Sequence, residues 1–127
     1  MARLNLLLDT HILLWWLTDS RKLNKKARTL IENAQSVWVS AVSAWEIESK
    51  RSQGLLDAPA DLETVVAANG FYPLSVNIPH AISAGRLPLH HRDPFDRLLV
   101  AQASEEQLTL LTHDGMLAKY QVPILVV

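Results

Sequence analysis

Residues 4–11 read Leu-Asn-Leu-Leu-Leu-Asp-Thr-His, a short and nearly unbroken apolar run that ends at Asp9. Such a run is typical of a β-strand that is buried on both faces of a parallel sheet. The leucine- and tryptophan-rich segment that follows, to about Leu17, is predicted to be a helix. A buried strand that leads through an acid into a helix indicates an α/β fold.

The rest of the chain continues this alternation. Asp93-Pro94 is the strongest helix start, because aspartate is a favoured N-cap and proline fits the first helical position. Strands that alternate with helices imply a parallel sheet with helices on both faces, and we expect one domain over residues 1–127. Further strands are predicted at 37–40, 71–74, 108–111 and 124–127, and helices at 24–34, 41–53, 61–68, 80–84, 93–106 and 114–119.

The composition excludes several classes of site. Hydrophobic residues make up 49% of the 127 residues and charged ones 20%, as expected of a globular domain rather than a disordered chain. The absence of cysteine excludes disulfides, thiolate metal sites and cysteine nucleophiles, and it favours a reducing cytoplasm. The longest apolar run is too short to cross a bilayer. We therefore expect a cytoplasmic protein with no membrane partner.

The net charge of −1 gives no global signature of nucleic-acid binding. Basic residues are nevertheless unevenly distributed, with one group between Arg21 and Arg28 and another between Arg86 and Arg97. Such groups are commonly solvated helix faces or loops. Any contact with a nucleic acid would therefore depend on local cations rather than on overall charge.

Acidic residues are predicted where the strands end. Open parallel sheets place their chemistry at the carboxyl ends of the strands. The candidates are Asp9 after the first strand, Glu46 in the helix after the second, Asp93 and Asp96 at the start of the long helix, and Asp114 after the fourth strand.

Each of these acids also has a purely structural explanation. Aspartate caps helices by accepting backbone N–H bonds, and glutamate pairs with a lysine one turn away. The structural explanations are N-capping by Asp9, Asp93 and Asp114, a capping box completed by Asp96, and an ion pair of Glu46 with Lys50 on an exposed face.

Taken together, the acids favour a metal site. Carboxylates gathered at one sheet edge repel each other, and a hard divalent cation such as Mg²⁺ or Mn²⁺ relieves that repulsion. Such ions activate water and neutralise charge on a phosphate. The sequence has no HExxH, GxSxG, GxxxxGK[ST] or GxGxxG motif, so zinc proteases, serine hydrolases and nucleotide-cofactor enzymes have no support. The acids therefore indicate phosphodiester chemistry.

Four segments in order resemble the PIN-domain family, specifically the VapC-type toxins of bacterial toxin–antitoxin pairs. The resemblance covers essentially the whole chain, and the Asp93 segment is its most specific part. The segments are Leu6-Leu7-Leu8-Asp9-Thr10-His11, Val39-Ser40-Ala41-Val42-Ser43-Ala44-Trp45-Glu46-Ile47, Asp93-Pro94-Phe95-Asp96-Arg97-Leu98-Leu99-Val100-Ala101-Gln102-Ala103 and Leu110-Leu111-Thr112-His113-Asp114.

The resemblance implies a three-layer α/β/α fold and a divalent-metal endoribonuclease that is usually dimeric and silenced by a cognate antitoxin. It favours Asp96 over Asp93 as the third acid, which leaves Asp93 as a cap or an outer residue. One departure from common members is Glu48 close behind Glu46, and on a helix it should point away. Transferred residue by residue, the acidic quartet is Asp9, Glu46, Asp96 and Asp114. Thr112 would orient ligands or water, and Thr10 and Ser40 are further candidates for that role.

Four acids repel the phosphates of an RNA backbone unless cations lie between them. We therefore expect basic side chains on either side of the acidic site. With metal ions the products would be a 5′-phosphate and a 3′-hydroxyl. In a rival scheme, His90 and His91 activate the ribose 2′-OH and leave a 2′,3′-cyclic phosphate. The substrate-binding candidates are Arg86, His90, His91, Arg92 and Lys50.

Alternative functions remain open at this point. A haloacid-dehalogenase-like phosphotransferase would need an aspartate at position 11, where the chain has histidine. A receiver-like signalling module would need an acidic pair at the first strand and a late lysine, and neither is convincing. A PIN fold retained only for protein binding is the third alternative. The tryptophan-rich early helices and residues 71–73 supply surplus apolar surface, from which we expect a twofold homodimer.

Overall fold

The computed structural model describes residues 3–127, and in this part of the chain five parallel strands form one sheet. The strands are β1 (Asn5–Leu8), β2 (Ser36–Ser40), β3 (Tyr72–Leu74), β4 (Thr109–Thr112) and β5 (Ile124–Val126). The helices are α1 (Thr10–Leu17), α2 (Lys25–Asn33), α3 (Ala41–Ser52), α4 (Leu62–Ala68), α5 (Ile78–Arg86) and α6 (Pro94–Glu106), followed by a short 3₁₀ helix (Gly115–Lys119).

The strand order β3-β2-β1-β4-β5 places β1 at the centre of the sheet. The order reverses direction between β1 and β4, and open parallel sheets bind ligands in the crevice outside such a switch point. The Asp9 amide donates to the Leu111 carbonyl at 3.0 Å, which extends the pairing of β1 with β4 to the strand ends. Asp9 and the residues that follow β4 therefore lie side by side at this crevice.

Alternating side chains of the strands build two cores, one on each face of the sheet. Leu6 and Leu8 of β1 are buried in a core with α1, α2, α4 and Ile47 of α3. Leu7 faces the opposite core, which includes α6, the 3₁₀ helix and Val42 of α3. Helix α5 packs on α6. The three β1 leucines have no exposed surface, and burying each contributes about 1.5–3 kcal/mol. These layers confirm the predicted three-layer α/β/α sandwich with a central parallel sheet.

The element boundaries agree with the sequence except at two helices. The helix predicted at 80–84 runs from Ile78 to Arg86, because Asn77 caps it through a capping box with His80. The helix predicted at 114–119 is a 3₁₀ helix with Asp114 as its cap. Among the helices formed by residues 3–127, none is both long and apolar enough to cross a membrane.

The surplus apolar surface lies only partly where the sequence suggested, since Tyr72 is 52% exposed as expected. Trp15 and Trp16 are half-buried against the first core, and Phe71 is buried, so the early helices supply less free surface than expected. The largest exposed apolar side chains include Trp45 of α3, Leu55, Ile78 of α5 and Leu89.

Candidate active site

Two of the predicted acids each use one carboxylate oxygen as a helix cap. Oδ1 of Asp9 accepts the Ile12 amide at 2.9 Å, and Oδ1 of Asp114 accepts the Met116 amide at 2.9 Å. The capping explanation is therefore correct for both residues, but it accounts for only half of each carboxylate. The Oδ2 atoms remain available to the other side chains at the ends of β1 and β4.

Thr112 joins these two acids. Its hydroxyl donates a hydrogen bond to Oδ2 of Asp9 and accepts the Asp114 amide at 3.0 Å. Thr112 has no exposed surface, and Asp9 is 4% exposed. Burial raises the pKa of the Asp9 carboxyl, although the hydrogen bonds from Thr112 and Ile12 oppose the shift. The threonine thus fixes the position of a buried carboxylate against its neighbour.

His91 lies among the acids. Its Nε2 is 2.8 Å from Oδ2 of Asp114 and 3.6 Å from Oδ2 of Asp96. One ligand atom from each of these three residues falls within 4.8 Å of the other two. Its Nδ1 accepts the Asp93 amide at 3.1 Å, so the proton of the neutral ring is assigned to Nε2. His91 is therefore a hydrogen-bond donor to the Asp114 carboxylate and lies close to that of Asp96.

The Asp114 carboxyl and the Asp96 carboxyl are shifted in opposite directions. Burial would raise the pKa of Asp114, but the Met116 amide and His91 outweigh it and lower the pKa below its ordinary value. Burial, together with the charges of Asp93, Asp9 and Glu46, raises the pKa of Asp96 to about 7. Asp96 is therefore the carboxyl on which the repulsion within the cluster concentrates.

Asp96 does not complete the expected capping box. Asp93 caps α6 by accepting the Phe95 amide at 2.9 Å, while the amide of Asp93 itself donates to His91. In a capping box, the backbone amide of the N-cap residue, here Asp93, donates to the side chain three residues later, here Asp96. The capping-box explanation of Asp96 is therefore wrong, and the N-cap explanation of Asp93 is confirmed.

Glu46 is buried rather than displayed on an exposed helix face. It is 4% exposed, and its Oε2 accepts from Nζ of Lys50 at 3.0 Å. Its Oε1 is buried and has no hydrogen-bond partner among residues 3–127. The pairing with Lys50 was predicted correctly, but the exposed position was wrong. Glu48 points outward as predicted and pairs with Arg51.

Three of the four acids, Asp9, Asp96 and Asp114, line a cleft of about 400 Å³. Trp15, predicted to belong to the core, packs against the first core and also lines this cleft. The signal that could have identified it is its place one helical turn after His11, in the helix that starts at Asp9. The cleft is lined by Asp9, His11, Trp15, Asp96, His113, Asp114 and Gly115.

Arg97 holds the loop that carries His91. Its guanidinium donates to the carbonyls of Ala84, Leu87 and Pro88 at 2.9–3.0 Å and lies 3.3 Å from the Tyr120 hydroxyl. The same hydroxyl accepts the His91 amide at 3.1 Å. Sequence reasoning treated Arg97 as part of a basic group, and the several partners of one guanidinium could not be inferred from spacing.

The substrate-binding candidates are separated in the structure. His91 is within the acidic cluster, and Lys50 is paired with Glu46. Arg92 is exposed beside His91. Arg86 is exposed in the last turn of α5 and lines another depression with Pro79, Ile82, Ser83, Leu87, Pro88 and Glu105, which contains none of the four acids.

The donor set fits a hard divalent cation. Oε1 of Glu46 is buried without a hydrogen-bond partner, although Lys50 pairs with Oε2, and the pKa of Asp96 is raised to about 7. Both features indicate that the acids hold more negative charge than Lys50 alone offsets. Oxygen ligands are those that Mg²⁺ and Mn²⁺ prefer. The residues suited to hold such an ion are Asp9, Glu46, Asp96 and Asp114.

Comparison with known proteins identifies relatives over nearly the full chain. The family model described as "PIN domain" matches residues 6–123. Ribonuclease VapC22 of Mycobacterium tuberculosis H37Rv is 30% identical over 124 residues, which cover 92% of each protein.

Solved structures support the same fold. A toxin–antitoxin complex from Klebsiella pneumoniae contains a chain with a TM-score of 0.69 and 16% identity, over 96% of this chain and 97% of that one. VapBC2 from Rickettsia felis, bound to a DNA fragment from its promoter, gives a TM-score of 0.68 at 13% identity, with coverage of 95% and 97%. At these identities the two structures establish the likeness of fold alone.

Proposed function

This chain belongs to the PIN domain family, and on that premise we propose that it is a divalent-metal-dependent endoribonuclease, the toxin of a type II toxin–antitoxin pair. The observation that carries the proposal is the grouping of four acids, three of which line one cleft. Asp9 and Asp114 approach from the ends of β1 and β4, Asp96 from the start of α6, and the charge of Glu46 acts on Asp96.

Mg²⁺ or Mn²⁺ bound by these acids would supply charge neutralisation at the phosphate and activation of a water. The chain's own residues keep the ligands in place. Thr112 orients Asp9, and His91 orients Asp114 through its Nε2 proton. Hydrolysis adds one water across the bond between phosphorus and the 3′-oxygen, so the products are a 5′-phosphate and a 3′-hydroxyl.

The substrate would be held mainly through its phosphates. Arg92 is exposed next to His91, where its guanidinium can contact an RNA backbone without competing for the buried acids. Lys50 neutralises Glu46 in the absence of a cation and becomes available once the cation replaces it. Arg86, more distant from the cleft, would contact an extended strand. The protein would act in the cytoplasm, where RNA is present and where a chain without cysteine, which forms no disulfides, is expected.

The proposed partners are a cognate antitoxin and a second copy of the chain. VapC22 is named a ribonuclease, and the structural relatives are toxin–antitoxin complexes, which supports an antitoxin for this chain. Exposed Ile78, Ile82 and Leu89 on and after α5 offer an apolar surface for a homodimer. Sedimentation at tens of micromolar tests the dimer: a dimer that becomes a monomer in Ile78→Lys supports it, and a wild-type monomer contradicts it.

Family membership removes the haloacid-dehalogenase-like and receiver-like alternatives. A PIN fold that only binds a partner is opposed by the intact acidic cluster. The test is a titration of Mg²⁺ and Mn²⁺ into protein mixed with a pool of RNAs, with Asp96→Asn as the inactive control. Cleavage that requires the metal and Asp96 supports the proposal, and a protein that cuts no RNA at any metal concentration contradicts it.

A further inference from the structure

The proposed function uses the acids of the cleft, but its lining also includes three aromatic rings. The indole of Trp15 is close to two imidazoles. Its ring centroid is 5.1 Å from that of His113 in an edge-to-face arrangement and 6.0 Å from that of His11. All three residues line the same cleft as Asp9 and Asp96. No step of the proposed hydrolysis employs these rings.

The three rings are held at the site from different parts of the chain. Trp15 and His11 are one turn apart on α1, which Asp9 caps. His113 stands between Thr112 and Asp114, and its Nδ1 donates to the Val127 carbonyl at 2.9 Å. Trp15 packs its buried part against the first core. The aromatic group is thus supported on both sides and stands directly beside the proposed phosphate position.

The geometry points to a nucleobase-stacking subsite: Trp15, flanked by His11 and His113, receives an unpaired base of the RNA strand whose phosphate lies at the acids. A π-face beside a phosphate site is what a single-stranded nucleotide requires, and the exposed imidazoles of His11 on α1 and His113 after β4 extend that aromatic surface. Stacking also supplies affinity that the acidic cluster, which repels phosphate, does not provide. This inference rests on the proposed function for the position of the phosphate.

Trp16 provides a matched control. It is the next residue of α1 and is also half-buried, but its ring faces Phe71 at 6.1 Å and its Nε1 donates to Asn69 at 3.0 Å. Trp16 is absent from the lining of the cleft. A substitution at Trp16 therefore reproduces the loss of tryptophan packing on α1 without removing the proposed stacking surface.

The test compares ligands with and without a base. With Mg²⁺ present, the affinities of adenosine 5′-monophosphate, adenosine 3′-monophosphate and ribose 5-phosphate are measured by NMR titration of the indole N–H signals. At least one nucleotide should bind about tenfold more tightly than ribose 5-phosphate, and it should shift the Trp15 signal. Trp15→Leu should abolish that difference, Trp15→Phe should keep most of it, and Trp16→Leu should leave it unchanged.

The outcomes separate the two proposals. If neither nucleotide binds more tightly than ribose 5-phosphate to the wild type, the stacking subsite is wrong. The same conclusion follows if the preference survives in Trp15→Leu. The wild-type comparison needs no variant, so a poorly folding Trp15→Leu protein does not prevent a decision. RNA cleavage by the wild type is measured in parallel. If the wild type cuts no RNA, the proposed ribonuclease function is wrong, whatever the comparison of nucleotides with ribose 5-phosphate shows about the subsite.

Discussion

His91 Nε2 lies 2.8 Å from Oδ2 of Asp114, while Nδ1 of the same ring accepts the Asp93 amide. These two contacts connect the loop before α6 to the acid after β4, 23 residues later in the chain. They also fix the ring orientation and the position of its proton. The histidine that the sequence proposed for substrate binding is therefore built into the acidic cluster as a support for one carboxylate.

His91 should be needed for metal affinity. His91→Ala removes the Nε2 donor, so the apparent affinity for Mg²⁺ should fall about tenfold, as is usual when a residue that orients a ligand is lost. His91→Gln places an amide donor near the Nε2 position and should retain most of the affinity, whereas His91→Asn should not. Thermal melts across a Mg²⁺ titration measure the effect without activity. Equal Mg²⁺ dependence in wild type and His91→Ala would refute this role.

Without divalent ions, stability should fall as the pH rises from about 4 to about 7. The folded protein holds a proton on Asp96 up to about pH 7, whereas the unfolded chain releases it near pH 3.8. The folded state thus binds more protons in this window, so the stability present below pH 4 is lost as the pH rises through 7. Burial raises the pKa of Asp9 and acts in the same direction.

The loss of stability that Asp96 causes as the pH rises is measured by comparing wild type with Asp96→Asn. The pKa values that bound this window, 3.8 and about 7, correspond to at most about 4 kcal/mol, and the 20% exposure of the Asp96 side chain reduces that figure. In melts with EDTA, wild type should lose stability relative to Asp96→Asn between pH 5 and pH 8, and Mg²⁺ at pH 8 should restore it. If the stability of wild type and that of Asp96→Asn change with pH in parallel, the carboxyl of Asp96 is not the cause of the loss of stability.

Substitutions at Asp93 and Asp96 should affect different properties: stability at Asp93 and RNA cleavage at Asp96. Asp93→Ala loses the cap on the Phe95 amide and should cost about 1 kcal/mol of folding free energy, while Asp93→Ser can cap and should keep most activity. Asp96→Asn should abolish cleavage without loss of stability, because it removes like charge. Paired melting and cleavage assays check this, and the reverse pattern would mean that the two roles are exchanged.

Much of the fold could be predicted from local signals. The buried run of β1 and the Asp93-Pro94 start of α6 are unambiguous, because period, N-cap and proline chemistry agree there. The limits of α5 could not be predicted, since they depend on the side chain of His80 returning to the Asn77 amide. The 3₁₀ form of the last helix likewise has no separate signature in its sequence.

The acids of the site could be predicted, but the choice between cap and ligand could not. Asp9 and Asp114 are caps through Oδ1 and belong to the acidic cluster through Oδ2, so the cap does not exclude a role as ligand. The assignment of Glu46 to the site stays a prediction, and its burial depends on how α3 packs, which spacing does not reveal. Trp15 is a core residue on one side and a cleft residue on the other, and only tertiary packing distinguishes these two surfaces.

Arg92 should contribute affinity for RNA without contributing sequence preference. Arg92→Ala should weaken binding to all single-stranded RNAs and reduce the salt dependence by about one released counterion. Lys26→Ala is a charge-matched control, because Lys26 is exposed on α2 and does not line the cleft. Binding measured over a range of salt concentrations tests the prediction, and an unchanged slope in Arg92→Ala would place the phosphate contacts elsewhere.

The most direct test of the metal-dependent mechanism is end-group analysis of RNA cut by the wild type, with Asp9→Asn as control, in Mg²⁺ or Mn²⁺ and in EDTA. We predict cleavage only with the metal, with 5′-phosphate and 3′-hydroxyl ends, and none in Asp9→Asn, which should remain folded because the substitution removes a buried charge. Cleavage that continues in EDTA and leaves 2′,3′-cyclic phosphates would assign the chemistry to histidines and contradict the carboxylate mechanism.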